Sequence, residues 1–336
     1  MSGERRAGAS WGNWALRALG VLILAMAVSV AAFKAPDRPL ESLVARWAPP
    51  PSQFIELPVP GGPQLTHLRD EGPRTDPLPI LLLHGTSDSL HTWDGWVREL
   101  SKTRRVLRVD LPGFGLTGPA AHGDYGIRRY VEFVHALLEQ QQLGRVVIAG
   151  NSLGGEVAWM TAAAHPERVA GLVLLDPAGL PFEPEALPLG FQMSATSVGS
   201  WMGRYLLPRP MVRNSVEAVF GRPERVPQAE VDRFFEMAVR AGNREALHLR
   251  LQALMAERAQ GLQVPEWPKV LAPTLLVWGE KDRLIPPRTA ESYLKARAPQ
   301  APPAELRVLP GLGHVPQLED PAASLAAVRP FLDGLK

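Results

Sequence analysis

Arg145-Val-Val-Ile-Ala-Gly-Asn-Ser-Leu-Gly-Gly-Glu156 reads as a buried strand that enters a tight turn and opens onto a helix. Val146, Val147 and Ile148 are β-branched and bounded by turn residues, the pattern of a strand covered on both faces. Val157, Ala158, Met160, Thr161, Ala162 and Ala164 follow as a small-residue helix that His165-Pro166 brings to an end. Ser152 stands at the turn between the two.

That turn carries Gly150-x-Ser152-x-Gly154, the pattern of a nucleophile elbow, in which a serine is held in a strained turn with its hydroxyl pushed out above the sheet. Both glycines are required because strand and helix pass too close on either side of the serine for a β-carbon. A helix starting just after Ser152 also aims free backbone N–H groups at the place where an oxyanion would form. The five-residue pattern is short, and its context gives it meaning: a strand before it, a helix after it.

Around this stretch the chain is long enough, at 336 residues, for one large domain or two smaller ones, and 46% hydrophobic content is ample for a core. Lysine plus arginine (36) nearly balances aspartate plus glutamate (34), so no strong field for nucleic acid is implied. The lack of cysteine excludes disulfides, thiolate metal sites and a cysteine nucleophile. The sequence has no internal repeat, no histidine cluster of metal-binding type and no phosphate-cradling glycine loop, so neither a metal nor a cofactor is expected.

The amino terminus departs from ordinary globular sequence. Ala18 to Phe33 is a run of 16 uncharged residues preceded by Arg5, Arg6 and Arg17. Starting at Trp11 gives 23 residues with one charge, long enough to span a bilayer if Arg17 snorkels to the headgroups and Trp11 and Trp14 lie in the interface. A membrane anchor is therefore expected over residues 1–35. The competing reading is a secretory signal with a cleavage site around Ser29-Val-Ala-Ala32. In either case the body of the protein is expected outside the cytoplasm, anchored in the first reading and secreted or periplasmic in the second. Residues 36–52, rich in proline, read as a tether.

From residue 53 the pattern becomes one of strands alternating with helices. Two short strands surround the turn Pro60-Gly61-Gly62-Pro63. Strands are then expected at Pro79–His84, Val106–Asp110, Val146–Gly150, Val169–Leu175, Thr274–Trp278 and Glu305–Leu309. Helices lie between most of them, including Tyr130–Gln141 and Ala322–Leu335, which favours a mostly parallel sheet with helices on both faces. Residues 182–264 break the rhythm. They show no clear strand, and Gly190–Leu207, Val212–Phe220, Gln228–Ala241 and Arg244–Arg258 read as helices, so the segment is expected as an inserted helical cap on a core of residues 53–181 and 265–336.

A neutral serine hydroxyl is a poor nucleophile and needs a base that is itself oriented by a third group. Downstream candidates are Asp282, in the loop after the strand ending Trp278, and His314, in the loop after the last strand; the order Ser, Asp, His is the one a nucleophile-elbow fold uses. With His84-Gly85, Asp110-Leu-Pro-Gly-Phe-Gly115, Gly150-Asn-Ser-Leu-Gly-Gly155, Trp278-Gly-Glu-Lys-Asp282 and Gly313-His314, the chain resembles the α/β-hydrolase superfamily over residues 53–335. The resemblance implies that Ser152 attacks, His314 is general base and then acid, Asp282 orients His314, and the N–H groups of Leu153 and Thr86 form the oxyanion hole. Asp176 is the rival acid, because some relatives are similar in placing it there. Asp110 is expected to tie down its glycine-rich turn, His84 to be structural, and His67, His91, His122, His135, His165 and His248 to be surface or packing residues.

Serine at the elbow leaves acyl transfer to water, by esterases, monoacylglycerol-type lipases or, less often, thioesterases. An apolar N-terminal segment, a tether, this elbow and a cap with Leu187, Leu189, Phe191, Met193, Trp201, Met202, Leu206 and Leu207 resemble membrane-anchored monoacylglycerol-lipase-like hydrolases, which implies a hydrophobic ester substrate. The runner-up is C–C bond hydrolysis of ring-cleavage products, whose enzymes have a similar Gly-Asn-Ser-x-Gly-Gly elbow; cofactor-free perhydrolysis is a further alternative. A non-catalytic scaffold on the same fold is the reading of a different class.

Overall fold

The computed structural model describes residues 8–335. Arg5 and Arg6, read above as the basic flank of the N-terminal segment, lie outside the described residues, as does the side chain of Trp11. Eight strands form one sheet: β1 (Gln53–Val59), β2 (Gly62–Glu71), β3 (Ile80–Leu83), β4 (Val106–Val109), β5 (Val146–Asn151), β6 (Val169–Leu175), β7 (Thr274–Gly279) and β8 (Glu305–Leu309). Their spatial order is β1-β2-β4-β3-β5-β6-β7-β8. Only β2 runs against its neighbours, pairing antiparallel with β1 and β4, and every other pair is parallel.

The central strands are apolar on both faces, and each face has its own cover. Leu81, Ile148, Leu172, Leu174 and Leu276 pack against α4 (Ile127–Gln140) and α5 (Leu153–Ala164) through Phe133, Leu137, Val157 and Trp159. Their sequence neighbours Ile80, Leu82, Val147, Val173 and Leu275 point the other way, onto Trp93, Trp96, Val328 and Phe331. The last four come from the turn before α3 (Asp94–Leu100), from α3 itself and from the terminal helix Pro321–Gly334. Because the central strands are parallel, the loops that follow β3, β5, β6, β7 and β8 all emerge along one edge of the sheet. That edge of an open α/β sheet is where ligands bind.

Five helices cross this edge: α6 (Leu189–Ser194), α7 (Ser197–Gly203), α8 (Arg209–Glu217), α9 (Gln228–Ala238) and α10 (Asn243–Gln260). The helix expected over Gly190–Leu207 is split into α6 and α7. Thr196 caps the second piece by accepting the Gly199 N–H at 3.0 Å, and a β-carbon at Gly199 would lie 2.2 Å from the Met193 carbonyl oxygen.

The N-terminal segment forms α1 (Gly8–Phe33), whose side chains from Gly12 onward are exposed. The 22 residues Gly12–Phe33 are long and apolar enough to cross a membrane, which fits an anchor or a signal peptide. The proline-rich residues after it, expected as a tether, are packed. The Ala35 N–H donates to the Tyr205 carbonyl (2.8 Å), and the Arg38 N–H to that of Val239 (2.7 Å). Helix α2 (Glu41–Trp47) buries Leu43 against Leu116 and Met237. Arg46 Nη1 and Trp47 Nε1 both donate to the Glu236 carboxylate at 2.6 Å. The prolines bracket a proline-free turn of helix, and the acceptor that fixes it lies in the cap, 189 residues away in the chain.

Replacing Glu236 with alanine removes two charge-assisted bonds, and Glu236→Ala is expected to cost about 1–3 kcal/mol of stability. Limited proteolysis should then cut first within residues 36–52; unchanged resistance there would show that the clamp is not what holds this segment.

Candidate active site

Ser152 links β5 to α5 with φ 54° and ψ −116°, a conformation sparsely populated by non-glycine residues. Its neighbours leave it no choice. A β-carbon at Gly150 would lie 2.2 Å from the Gly154 carbonyl oxygen, and one at Gly154 would lie 2.2 Å from the Leu83 carbonyl oxygen of β3. Backbone from three elements thus meets here. Leu153 is the first residue of α5, so its N–H has no intrahelical acceptor. Thr86 sits opposite, in the loop after β3, one residue beyond Gly85, where a β-carbon would come within 3.2 Å of the Ser152 side chain.

Asp282 and His314 come together from the loops after β7 and β8. His314 Nδ1 donates to Asp282 Oδ2 at 2.7 Å, while Asp282 Oδ1 accepts the N–H groups of Leu284 (2.8 Å) and Ile285 (2.9 Å). This fixes the carboxylate and leaves His314 Nε2 as the ring nitrogen available for proton transfer. His314 Nε2 is buried and has no hydrogen-bond partner among the described residues, so no Ser152–His314 bond is formed. In unliganded sites such bonds are often loose and tighten with substrate. Ser152, His314 and Thr86 all face one cavity.

The rival acid Asp176 follows β6, with φ 45°. One donor atom from each of Asp176, Asp282 and His314 lies within 4.8 Å of the others. Asp176 Oδ1 accepts the Gly279 N–H at 2.9 Å, and His314 bonds Asp282 instead. Burial, and then the charge of Asp282, push the Asp176 carboxyl well above the ordinary carboxylate range, which favours its neutral form beside the Asp282 carboxylate.

The remaining candidates tie loops together. His84 Nδ1 donates to the Gly85 carbonyl (2.7 Å), and its Nε2 accepts the Leu111 N–H (2.9 Å); burial lowers its pKa and keeps it neutral. Asp110 accepts the N–H groups of Leu90 and Leu116, each at 2.7 Å, and His67 Nδ1 at 2.7 Å. Burial opposes its charge, but His67 beside it holds the Asp110 carboxyl below the usual range. His91 Nε2 donates to the Trp47 carbonyl (2.8 Å), and burial lowers its pKa to about 4. His135 stacks on His165 with ring centroids 4.3 Å apart, and His248 Nδ1 donates to the Ser194 carbonyl at 2.6 Å. His122 caps the Asp124 N–H at 3.0 Å.

Sequence reasoning missed the residues that brace these loops from a distance. Asn151 Nδ2 donates to the His314 carbonyl at 2.8 Å, so the residue before the elbow serine also holds the histidine loop. From the cap, the Val219 carbonyl accepts the His314 N–H at 2.8 Å. Arg233 of α9 is buried against the loop that carries Thr86. It pairs with Asp88 and Glu230 and donates to Ser89 Oγ at 2.9 Å. Asp88 Oδ1 in turn accepts the Ser89 N–H at 2.7 Å. Nothing local in the sequence couples Arg233 to Asp88, which lie 145 positions apart.

Breaking a buried pair strands a charge, so Arg233→Met is expected to cost about 3–5 kcal/mol. The double variant Asp88→Asn, Arg233→Met should recover part of that loss in urea unfolding. A double variant as unstable as the sum of the singles would mean the two side chains are not coupled.

A cavity of about 770 Å³ lies between this edge of the sheet and the cap. Ser152, His314 and residues 85–88 line it from the core, Phe191, Met193, Trp201 and Phe234 from the cap, and Met26, Ser29, Val30 and Phe33 from α1. Its walls are overwhelmingly apolar.

Comparison with known proteins agrees with this geometry. The family described as alpha/beta hydrolase fold matches residues 79–321. A monoacylglycerol lipase of Xenopus laevis is 29% identical over 265 residues, 76% of each chain. A 2-hydroxymuconate semialdehyde hydrolase of Pseudomonas sp. (strain CF600) is 28% identical over 275 residues, covering 80% of this chain and 90% of that one. The crystal structure of a membrane phospholipase A, described as a bacterial virulence factor, superimposes with a TM-score of 0.67 over 97% of both chains at 24% identity, a likeness of fold. A family match over most of the chain, laid on this sheet order and this elbow, makes the protein a member of the alpha/beta hydrolase fold family.

Proposed function

We propose that the protein is a serine hydrolase that cleaves carboxylic esters with a hydrophobic acyl group through an acyl-enzyme. The observation that carries this reading is the cavity: a large apolar chamber with Ser152 and His314 at one end, in the size range of small-molecule sites and suited to an acyl chain. In this mechanism Ser152 Oγ attacks the ester carbon as His314 Nε2 takes its proton. The N–H groups of Leu153 and Thr86 hold the oxyanion. Asp282 keeps the imidazole in the tautomer with Nε2 free and stabilises the imidazolium. His314 then gives the proton to the departing alcohol, and a water, deprotonated by the same nitrogen, releases the acid and restores Ser152.

Similarity to a monoacylglycerol lipase supports a lipid-like substrate. The C–C hydrolase reading draws on the muconic semialdehyde hydrolase relative and on the shared elbow. A muconic semialdehyde carries a carboxylate, however, which calls for a cation in the chamber. Among the described residues, the basic residue on the lining apart from His314 is Arg244, and it is already paired with Asp37.

For the N-terminal segment we favour a retained anchor, with the catalytic domain outside the cytoplasm, over a cleaved signal. Cleavage around Ser29-Val-Ala-Ala32 would remove Met26 and the residues beside it from the cavity wall.

Wild-type protein is expected to react with a fluorophosphonate and to hydrolyse p-nitrophenyl butyrate, and Ser152→Ala to do neither. Asp282→Asn should lower kcat by about 10⁴-fold, with a much smaller loss for Asp176→Asn. Equal losses for the two aspartate variants would overturn the choice of acid. A folded wild type that stays unlabelled would overturn the serine mechanism.

A further inference from the structure

A hydrophobic ester has to reach Ser152 from somewhere, and α1 is built into the route. Met26, Ser29, Val30 and Phe33 recur at i, i+3, i+4 and i+7, one stripe along the helix, and all four lie on the cavity wall. From Met26 to Phe33 the helix rises about 10 Å, so the cavity runs that far down the apolar segment. The 22 residues Gly12–Phe33 match a bilayer's hydrocarbon thickness of roughly 30 Å.

The end of α1 is not free to swing away from the cap. The Leu207 N–H donates to the Phe33 carbonyl at 3.0 Å, the Ala35 N–H to that of Tyr205 at 2.8 Å, and Lys34 bridges Leu206. The depth of α1 in a membrane therefore sets the depth of α6 and α7. Of the exposed apolar side chains on these two helices and the chain after them, Leu189 and Val198 (70% exposed) lie off the cavity lining, while Met193, Trp201 (63%) and Tyr205 are exposed along its rim. Tryptophan and tyrosine at the end of a spanning helix, followed by Lys34 and Arg38, are the residues of a membrane–water interface.

We propose that α6 and α7 rest in the bilayer leaflet from which α1 emerges, and that the substrate's acyl chain enters the cavity sideways from that leaflet along the Met26–Ser29–Val30–Phe33 stripe. The occupant of the apolar face is the lipid leaflet itself. An anchored helix delivers it there, and a mouth walled by residues at acyl-chain depth opens onto lipid rather than water. This rests on the ester-hydrolase reading above for the chemistry, but not for the docking.

Two measurements on the full chain in phosphatidylcholine vesicles test it. Leu189 and Val198 are exposed and do not line the cavity. In the double variant Leu189→Asp, Val198→Asp, hydrolysis of monooleoylglycerol held in the vesicles should fall about tenfold or more, as expected for charges forced against lipid, while the rate on water-soluble p-nitrophenyl butyrate is unchanged. Rates on both substrates that are unchanged, or that fall together, would overturn lateral entry. Because the chain has no cysteine, Val198→Cys gives a single site for a nitroxide. That label should be accessible to oxygen and shielded from a water-soluble nickel reagent, and full exposure to the nickel reagent would overturn the docking whatever the activity. A wild type that hydrolyses neither ester would sink the ester-hydrolase reading and leave the label to decide the membrane face.

Discussion

Everything at the site depends on one close approach of backbone to backbone. At Gly150 and Gly154, strand β5, helix α5 and strand β3 come within a distance that a single β-carbon would forbid. That contact holds Ser152 in a strained positive-φ turn, and the strain of roughly 1–3 kcal/mol persists because the fully buried strands β3, β5 and β6 surround it. The same turn starts α5 with its free amide beside the serine. Position of the hydroxyl and position of that free amide are thus two results of one steric constraint.

The second principle is that loops at the carboxyl edge are held from outside the sheet. The histidine loop is bonded to Asn151 on one side and to Val219 of the cap on the other. Glu319 stitches the same two segments by accepting the N–H groups of Gly221 and Gly313, each at 2.9 Å. Arg233 braces the loop after β3, and Arg250 of α10 pairs with Glu156 of α5 at 3.2 Å and with Glu257 at 2.8 Å. Buried ion pairs contribute little net stability when formed, but they penalise every arrangement that separates them. The helices over this edge are therefore structural partners of its loops as well as a cover for them.

Helix α1 extends that arrangement beyond the helices over the sheet edge. Its last two turns form part of the cavity wall, its end is hydrogen-bonded to the cap, and the segment after it is clamped to Glu236 and to the core. An apolar segment that would look detachable by composition alone is continuous with the chamber that holds Ser152.

The sequence by itself determined the sheet and the elbow, because their signals are local: β-branched runs between turn residues, and glycines at fixed spacing around one serine. It also offered Asp282 and His314 as candidates by chain order, with Asp176 as the rival acid, since a fold that places its loops on one edge leaves few positions for them. Tertiary structure decided what depends on partners far apart in the chain. Asp176 and Asp282 are both carboxyl groups at strand ends, and only three-dimensional proximity gives the imidazole to Asp282 while burial beside that charge pushes the Asp176 carboxyl up. The proline-rich stretch reads as a tether until Glu236 is seen to anchor it. Met26, Ser29, Val30 and Phe33 are undistinguished members of an uncharged run until the helices over the sheet edge close the other side of the cavity. Periodicity records which residues seek burial, whereas the identity of the surface that buries them exists only once distant segments have packed together.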